Sequence, residues 1–355
     1  MGVGYMTWSM WDRGADGASD PGARSATGAA PGSLLWTASK PSLDSPASYS
    51  DGTLYVGGTE RLYALDPADG QERWSFAFGL YVPTRTVLNG DGDTAYFAHS
   101  GGTLRAVDTT DGTTRWTYRL GSRVLPSDPA LAGSTLYIAT SDGLLHAVDA
   151  ATGGQRWTAE YRTAASRAPA TPVATRSTVY VGGYDGELRA YDTRGRRRWT
   201  FRTGGPLSSP VMWSESLYVS SADGKVYAVD ITTGARRWAF PVEGETGGLA
   251  LVGTGLYFHN RADTLYAVHT QSGRARWTYP LPSEVQVVAA ASSTTVYLGH
   301  RDGTLRAVDT GSAKEIWTFE APGRFLAPPT PTGRVVYFTT TDGDKPEPRL
   351  HAVAG

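Results

Sequence analysis

Short runs of alternating apolar and small or polar residues recur along most of the chain. In “LYVGG” and “LYALD”, within Leu54–Asp66, apolar side chains stand at every second position, which is the period of a half-buried β-strand. In several copies an Asp-Gly pair separates the two runs, and this pair favours a tight hairpin because glycine adopts positive φ at low cost. A “DxxTG” turn then leads to a third run, “RWTF”. The pattern predicts antiparallel sheets joined by short turns.

The same unit occurs eight times. Its tyrosine recurs at a spacing of about 40 residues, the length of a β-propeller blade, at Tyr55, Tyr96, Tyr137, Tyr180, Tyr218, Tyr257, Tyr297 and Tyr337. The stretch before each tyrosine run, such as “SDPALA”, predicts an innermost strand whose open edge tolerates proline. We therefore predict an all-β fold, an eight-bladed β-propeller of four-stranded blades.

A tryptophan series, offset from the tyrosines, predicts how the propeller closes. The tryptophans are Trp36, Trp74, Trp116, Trp157, Trp199, Trp238, Trp277 and Trp317. Trp36 precedes the first tyrosine, and the last copy has no tryptophan. In the simplest geometry, Leu34–Thr37 forms the outermost strand of the last blade. The two ends of the chain then meet within one sheet, and no gap is left between the first and last blades. This assigns 33–355 to the propeller.

Residues 1–32 are rich in Gly, Ala and Ser and predict a flexible linker. They contain neither the basic region nor the apolar core of a secretory signal, and no segment of the chain is apolar enough to span a bilayer. A linker at this end raises the expectation of a missing upstream segment, through either a truncated gene or an excised domain.

Composition and motifs argue against several functions. The chain has 33 Lys and Arg against 34 Asp and Glu, so we expect no nucleic-acid partner. In “TRGRRRWTF”, Arg194, Arg196 and Arg197 lie in a predicted exposed turn, and Arg198 follows at a position that is arginine in five other copies. No cysteine is present, which excludes disulfides, zinc–thiolate sites and a thiol nucleophile. There is also no nucleophile elbow, P-loop or HExxH motif.

Other polar residues that could carry chemistry have structural explanations. Three histidines, His99, His259 and His300, end the tyrosine run in blades 2, 6 and 7. Because these blades lie on largely opposite sides of the predicted ring, we expect no shared metal site. His146 and His351 hold a strand position that is Tyr or Arg in other copies. The “DGDKPEP” insertion at 342–348 is either a plain loop or a partner-specific contact.

One charge pattern is a candidate binding surface. In a propeller, the connections between blades share a face with the hairpins and surround the mouth of the channel. Consecutive connections carry basic residues, and Glu243, Glu245 and Glu284 stand opposite. The hypothesis is an anionic ligand or acidic peptide held by focused potential, and the alternative is ordinary solvated charges. The candidate residues, with two aromatic neighbours, are Lys40, Arg85, Arg123, Arg167, Arg324, Tyr81 and Phe325.

The repeats resemble those of pyrroloquinoline-quinone-type β-propellers. The likeness lies in the small-Tyr-Val-Gly strand, the Ala-x-Asp strand end, the Thr-Gly turn and the tryptophan, and it covers 33–355. In that family the repeat Trp, Ala and Gly form a docking contact between adjacent blades. The resemblance therefore assigns Ala64, Gly70, Trp74 and their counterparts, including all eight tryptophans, to blade docking.

For function the resemblance implies two classes. Quinone-dependent dehydrogenases hold pyrroloquinoline quinone and calcium over the propeller, but they are usually longer, and the alcohol dehydrogenases typically carry adjacent cysteines. The non-catalytic branch includes the lipoprotein of outer-membrane assembly and the sensor propellers of bacterial Ser/Thr kinases, which this chain resembles in length and linker. We expect a recognition, sensor or scaffold module, monomeric and without cofactor, that binds a protein partner or a small anionic ligand. The resemblance alone implies an extracytoplasmic location, with the cytoplasm left open.

Overall fold

The computed structural model describes residues 26, 28–41, 43, 45–81, 84–121, 125, 127–161, 170–261, 263–282, 285–341 and 348–355, with the backbone alone for 80–81 and 286–291. This part of the chain consists of β-strands and turns. It contains no helix with the length and hydropathy needed to cross a membrane.

The strands follow the repeats in order. The first, β1 (Leu34–Ser39), precedes blade 1. Blade 1 comprises β2 (Ser48–Ser50), β3 (Thr53–Gly57), β4 (Thr59–Leu65) and β5 (Glu72–Tyr81). Blade 2 comprises β6 (Val87–Leu88), β7 (Thr94–His99), β8 (Thr103–Asp108) and β9 (Thr114–Arg119). Blade 3 comprises β10 (Ala130–Ala132), β11 (Thr135–Ala139), β12 (Leu144–Asp149) and β13 (Gln155–Glu160). Blade 4 comprises β14 (Val173–Ala174), β15 (Thr178–Gly182), β16 (Glu187–Asp192) and β17 (Arg197–Arg202).

The second half repeats the arrangement. Blade 5 comprises β18 (Val211–Trp213), β19 (Ser216–Ser221), β20 (Lys225–Asp230) and β21 (Arg236–Pro241). Blade 6 comprises β22 (Ala250–Val252), β23 (Gly255–His259), β24 (Thr264–His269) and β25 (Ala275–Pro280). Blade 7 comprises β26 (Val285–Ala291), β27 (Thr295–His300), β28 (Thr304–Asp309) and β29 (Glu315–Glu320). Blade 8 comprises β30 (Arg324–Phe325), β31 (Thr330–Thr332), β32 (Val335–Thr341) and β33 (Arg349–Ala354).

Blades 1 to 7 are four-stranded antiparallel sheets whose strands pair in chain order. In blade 8, β31, β32 and β33 are completed by β1, and the short β30 also pairs with β32. Trp36 of β1 stands opposite Ala352 of β33. The prediction of an eight-bladed β-propeller of four-stranded blades, with the last blade completed by the N-terminal strand, is therefore confirmed.

The described residues form two compact units. One contains Thr86–Leu249 and Thr270–Arg274, and thus blades 2 to 5; the other contains residues up to Arg85 together with Ala250–His269 and Ala275–Gly355.

Within the first unit, β11 shows why the tyrosine runs are apolar. All five residues of β11 are buried, whereas the sequence pattern predicts a half-buried strand. Leu136 and Ile138 pack with blade 2, and Tyr137 and Ala139 pack with blade 4. Because neighbouring blades cover both faces of the sheet, the alternation directs side chains to two cores rather than to one core and solvent. Burial of a leucine of this kind stabilises the fold by roughly 1.5–3 kcal/mol.

The Trp-bearing outer strands have a common local geometry. In blade 4, Ala190 pairs with Trp199, and the register then shifts before Tyr191 pairs with Arg197. Such a bulge increases strand twist and redirects the side chains that follow. In the outer strands β9 and β13, partly buried and exposed residues alternate from the tryptophan onward.

Residues before β1 also pack against blade 8. The Gly32 amide donates to the Ala354 carbonyl at 2.8 Å. Gly32 has a φ of +80°, and a Cβ there would lie 3.1 Å from Trp317. Ala26 is 6% exposed and lies in a core cluster with Leu350. Residues that the sequence assigns to the linker thus contact the folded domain, while 1–25 and 27 lie outside the described residues.

Candidate functional site

Six of the repeat tryptophans donate the indole N–H to a backbone carbonyl in the turn of the following blade. The Trp157 indole N–H donates to the Thr193 carbonyl at 2.9 Å, and its ring lies against Tyr137 at a centroid distance of 5.8 Å. A Cβ on Gly153, in the blade 3 turn, would lie 2.7 Å from the Trp116 ring of blade 2, so this turn must have glycine here. Five further indoles make the same bond to a backbone carbonyl: Trp36 to Pro67, Trp116 to Ala150, Trp199 to Ile231, Trp238 to Thr270 and Trp277 to Thr310. Trp74 lies against Tyr55, and Trp317 against Gly32.

The arginine before the tryptophan forms an ion pair with the aspartate of the preceding turn. In blade 3, Arg156 Nη2 lies 2.7 Å from Asp149 Oδ2, while Asp149 Oδ1 accepts the Thr152 amide at 2.9 Å. The Arg156 hydrogen bond lowers the pKa of Asp149 to about 2. The same ion pair forms between Arg73 and Asp66, Arg115 and Asp108, and Arg237 and Asp230. These carboxylates therefore stabilise their turns.

Part of the predicted basic surface falls outside the described residues. Arg123, Arg167 and Glu284 are not described, nor is most of the 342–348 insertion. Tyr81 ends β5, where it pairs with Thr59, and its side chain is not described.

Four predicted surface residues have described side chains. Lys40 Nζ lies 2.9 Å from Glu72 Oε2 and 5.7 Å from the centroid of the Tyr63 ring. Arg85 is buried, with 8% of its surface exposed. Arg324 is exposed, whereas the Phe325 ring is buried and stacks on Phe338 at 5.0 Å. Arg324 is thus accessible to a ligand, whereas the Phe325 side chain packs in the core. A binding role for the set stays a prediction.

Buried histidines have neighbours within the fold. His351 Nε2 lies 2.9 Å from Thr340 Oγ1, and burial followed by nearby Arg349 lowers its pKa to about 4. His146 Nδ1 lies 3.1 Å from the Tyr118 hydroxyl. Among the described residues, no three His, Asp or Glu side chains converge as a metal site.

A cavity of about 560 Å³ lies on blade 2, at its Gly101–Gly102 turn. Thr103 pairs with Arg119, and Arg105 pairs with Thr117, in the ladder between β8 and β9. Positions two apart on a strand share a face, so all four side chains point to the same side and line the cavity. Its described lining carries two guanidinium groups and no carboxylate.

His99 lies beside this cavity and is neutral near pH 7. Burial, followed by nearby Arg105, lowers the pKa of His99 to about 4. Its Nδ1 accepts the Gly101 amide at 3.1 Å, and its Nε2 lies 3.5 Å from Arg105 Nε. Burial also lowers the pKa of Arg105. Sequence reasoning missed this cavity, although one signal was visible: “SGG” stands where other copies have an Asp-Gly pair.

Known proteins resemble the chain in repeats and in fold. The family model PQQ_2, described as outer membrane protein assembly factor BamB, matches residues 24–240 and 281–352. No curated protein matches. The crystal structure of BamB from Moraxella catarrhalis is 19% identical, with a TM-score of 0.75 over 90% of this chain and 96% of that chain. A computationally designed protein, Ika8, is 14% identical, with a TM-score of 0.78 over 91% of this chain and 100% of that one. At these identities the two structures show a shared fold.

Proposed function

Because the chain belongs to the family of the outer membrane protein assembly factor BamB, we propose that it is a non-catalytic scaffold that binds a protein partner in the cell envelope. The observation that carries the proposal is a departure from the repeat on two outer strands. Ile316, in β29, occupies the position that holds an arginine in six other copies. Its side chain is 48% exposed.

Leu34 in β1 is the second large apolar side chain exposed among the described residues, at 49%. Strands β1 and β29 are the outermost strands of blades 8 and 7, each with one unpaired edge. The contact of Gly32 with Trp317 lies within two residues of both side chains. Exposed apolar groups rimmed by polar residues are typical of protein contacts, and an open strand edge can pair with a partner strand.

The test is photocrosslinking in cells that produce the protein. A photoreactive phenylalanine derivative replaces Ile316 or, in a separate variant, Leu34. Arg156 is the matched control because it occupies the Ile316 repeat position on blade 3. We expect one discrete protein adduct from positions 316 and 34, lost when the other apolar residue is changed to glutamate. Adducts of equal yield from position 156 would contradict the proposal.

The dehydrogenase alternative is tested on the purified protein. Thermal unfolding is followed with pyrroloquinoline quinone, with and without calcium, and dye reduction by simple alcohols and sugars is then measured on the same samples. The scaffold proposal predicts an unchanged Tm and no turnover. A saturable rise in Tm, which linkage requires of any ligand favouring the folded state, together with turnover would make the protein a quinone-dependent enzyme.

A further inference from the structure

One end of blade 4 carries five exposed arginines. One lies in the hairpin between β14 and β15, and the others lie in the turn between β16 and β17 or in the first two residues of β17. Thr178, the first residue of β15, pairs with Asp192, the last residue of β16, so both turns lie at the same end of the sheet. The blade 4 arginine cluster comprises Arg176, Arg194, Arg196, Arg197 and Arg198.

The aspartate turn of blade 4 is one residue shorter than that of blade 3. Trp199 follows Asp192 by seven positions, whereas Trp157 follows Asp149 by eight. In blade 3 the arginine directly before the tryptophan pairs with the aspartate. In blade 4 the aspartate pairs instead with an arginine inside the turn, since Arg196 Nε lies 2.9 Å from Asp192 Oδ2. The shorter turn thus changes which arginine is neutralised.

Arg198, the arginine directly before the tryptophan in blade 4, keeps only the threonine contact of its repeat position. Its Nη1 donates to Thr178 Oγ1 at 2.9 Å, as Arg156 Nη1 donates to Thr135 Oγ1 in blade 3. This bond holds the Arg198 guanidinium beside the hairpin between β14 and β15. Among the described residues, four members of the cluster form no ion pair with a carboxylate: Arg176, Arg194, Arg197 and Arg198.

Asp192 does not neutralise the whole cluster. It is the only acidic residue in the two turns, “TRST” at 175–178 and “DTRGRRR” at 192–198. Asp192 is 9% exposed, and its Oδ1 accepts the backbone amides of Arg194 and Arg196 at 2.9 and 3.0 Å. Both oxygens of the carboxylate are therefore bonded within the turn. Five guanidinium groups are left with one carboxylate, and this end of the blade carries a net positive charge.

We propose that the blade 4 arginine cluster binds an acidic segment of a protein partner. Guanidinium groups bond carboxylates in a forked geometry, and several cations on one surface attract a chain of opposite charge. The two turns contain no apolar side chain to insert into a bilayer and no aromatic ring to stack on nucleic-acid bases. These features favour a protein segment over a lipid surface or a nucleic acid. That the ligand belongs to a protein rests on the scaffold proposal, whereas its acidic character follows from the arginines.

Arg197→Glu is the most informative single variant. Arg197 is exposed and forms no described ion pair, so its replacement should leave the fold intact. Arg236→Glu is the matched control, because Arg236 is exposed and holds the same repeat position on blade 5. There the next arginine, Arg237, pairs with both Asp230 and Glu215, so cations and carboxylates are equal in number at that end of blade 5.

The experiment is a fluorescence anisotropy titration of a labelled hexaglutamate peptide with the purified full chain at low salt. We expect saturable binding that Arg197→Glu weakens roughly tenfold, that the double variant Arg194→Glu with Arg197→Glu abolishes, and that Arg236→Glu changes less than about twofold. Binding should also be lost at about 0.5 M NaCl, where exposed charges are screened. A hexaglutamine peptide should not bind. Circular dichroism melting establishes that each variant is folded.

Vesicles containing phosphatidylglycerol and a single-stranded oligonucleotide are titrated in parallel. Tighter binding of either one than of hexaglutamate would overturn the assignment to a protein segment. Absence of hexaglutamate binding, or equal weakening by Arg197→Glu and Arg236→Glu, would overturn the proposal as a whole. Photocrosslinking from positions 316 and 34 reports on the scaffold proposal separately. A protein adduct at those positions without peptide binding would therefore reject the arginine cluster alone.

Discussion

Blades 2 and 4 belong to the same compact unit and differ in what surrounds one arginine. In blade 4, Arg189 is neutralised by Asp185 and Glu187. In blade 2, Arg105 shares a cavity face with a second arginine, Arg119. The flanking Leu and Ala of both copies are fully buried. The fold therefore constrains the flanking core positions but not the surroundings of the residue between them.

The largest effect is expected from a feature that the two blades share. Trp116→Ala and Trp199→Ala each remove the indole bond to the next turn, and each should lower the free energy of unfolding by about 3–5 kcal/mol. Trp→Phe variants keep the ring packing and should cost only about 1 kcal/mol. Urea denaturation followed by circular dichroism measures both. A loss below about 1 kcal/mol for the alanine variants would refute a docking role.

The second-largest effect should differ between blade 4 and blade 2. Arg189→Gln leaves two nearby carboxylates without their shared cation, and we expect it to lower the free energy of unfolding by about 2–4 kcal/mol, discounted for their partial exposure. In blade 2, Arg119→Gln removes an exposed cation, so its effect should stay within about 1 kcal/mol. The same denaturation assay compares them. Equal losses would show that the two arginines have equivalent surroundings.

Acidification should lower the free energy of unfolding, in part through His99 of blade 2. His99 has a folded-state pKa of about 4 and an ordinary value of 6.5, so the unfolded chain binds the proton first as pH falls. Its contribution to stability is present above pH 6.5 and is lost as pH falls towards 4. By linkage, protonation of this imidazole in the unfolded chain should lower the free energy of unfolding by about 1–2 kcal/mol between pH 7 and pH 5. Blade 4 has Gly183 at this position and lacks such a group.

The measurement is the free energy of unfolding at pH 7 and pH 5 for wild type and His99→Gln. The variant should lose less stability on acidification than wild type. His351, whose pKa is also about 4, remains in both proteins and accounts for part of the residual loss. An identical loss in the two proteins would mean that His99 is not buried in its neutral form.

The smallest effect is expected from a variant that makes the blade 2 turn resemble that of blade 4. Gly101→Asp places a carboxylate four residues before Arg105, as Asp185 stands before Arg189, and should raise the free energy of unfolding by about 0.5–1 kcal/mol at low salt. Raising NaCl to about 1 M should remove most of the gain, because salt screens partly exposed ion pairs. Thermal melts in the two salt conditions measure the difference. A destabilised Gly101→Asp variant would show that an acidic side chain cannot reach Arg105 from this turn.

Much of the fold could be predicted because its signals are local and repeated. The regular spacing of the tyrosines predicted eight blades, and the position of Trp36 ahead of the first tyrosine indicated how blade 8 is completed. The inward packing of Phe325 and the pairing of Lys40 with Glu72 could not be predicted, because both depend on contacts between segments distant in the sequence. Likewise, Gly101 marks the blade 2 turn as unusual, but only the three-dimensional ladder brings Arg105 and Arg119 to one cavity.

The central claim is that the exposed apolar side chains Leu34 and Ile316 mark a contact with a protein partner. The most direct measurement is photocrosslinking in cells from positions 316 and 34, with position 156 as the control. We predict one discrete protein adduct from positions 316 and 34 and none from position 156. Adducts of equal yield from all three positions, or none from 316 and 34, would contradict the claim.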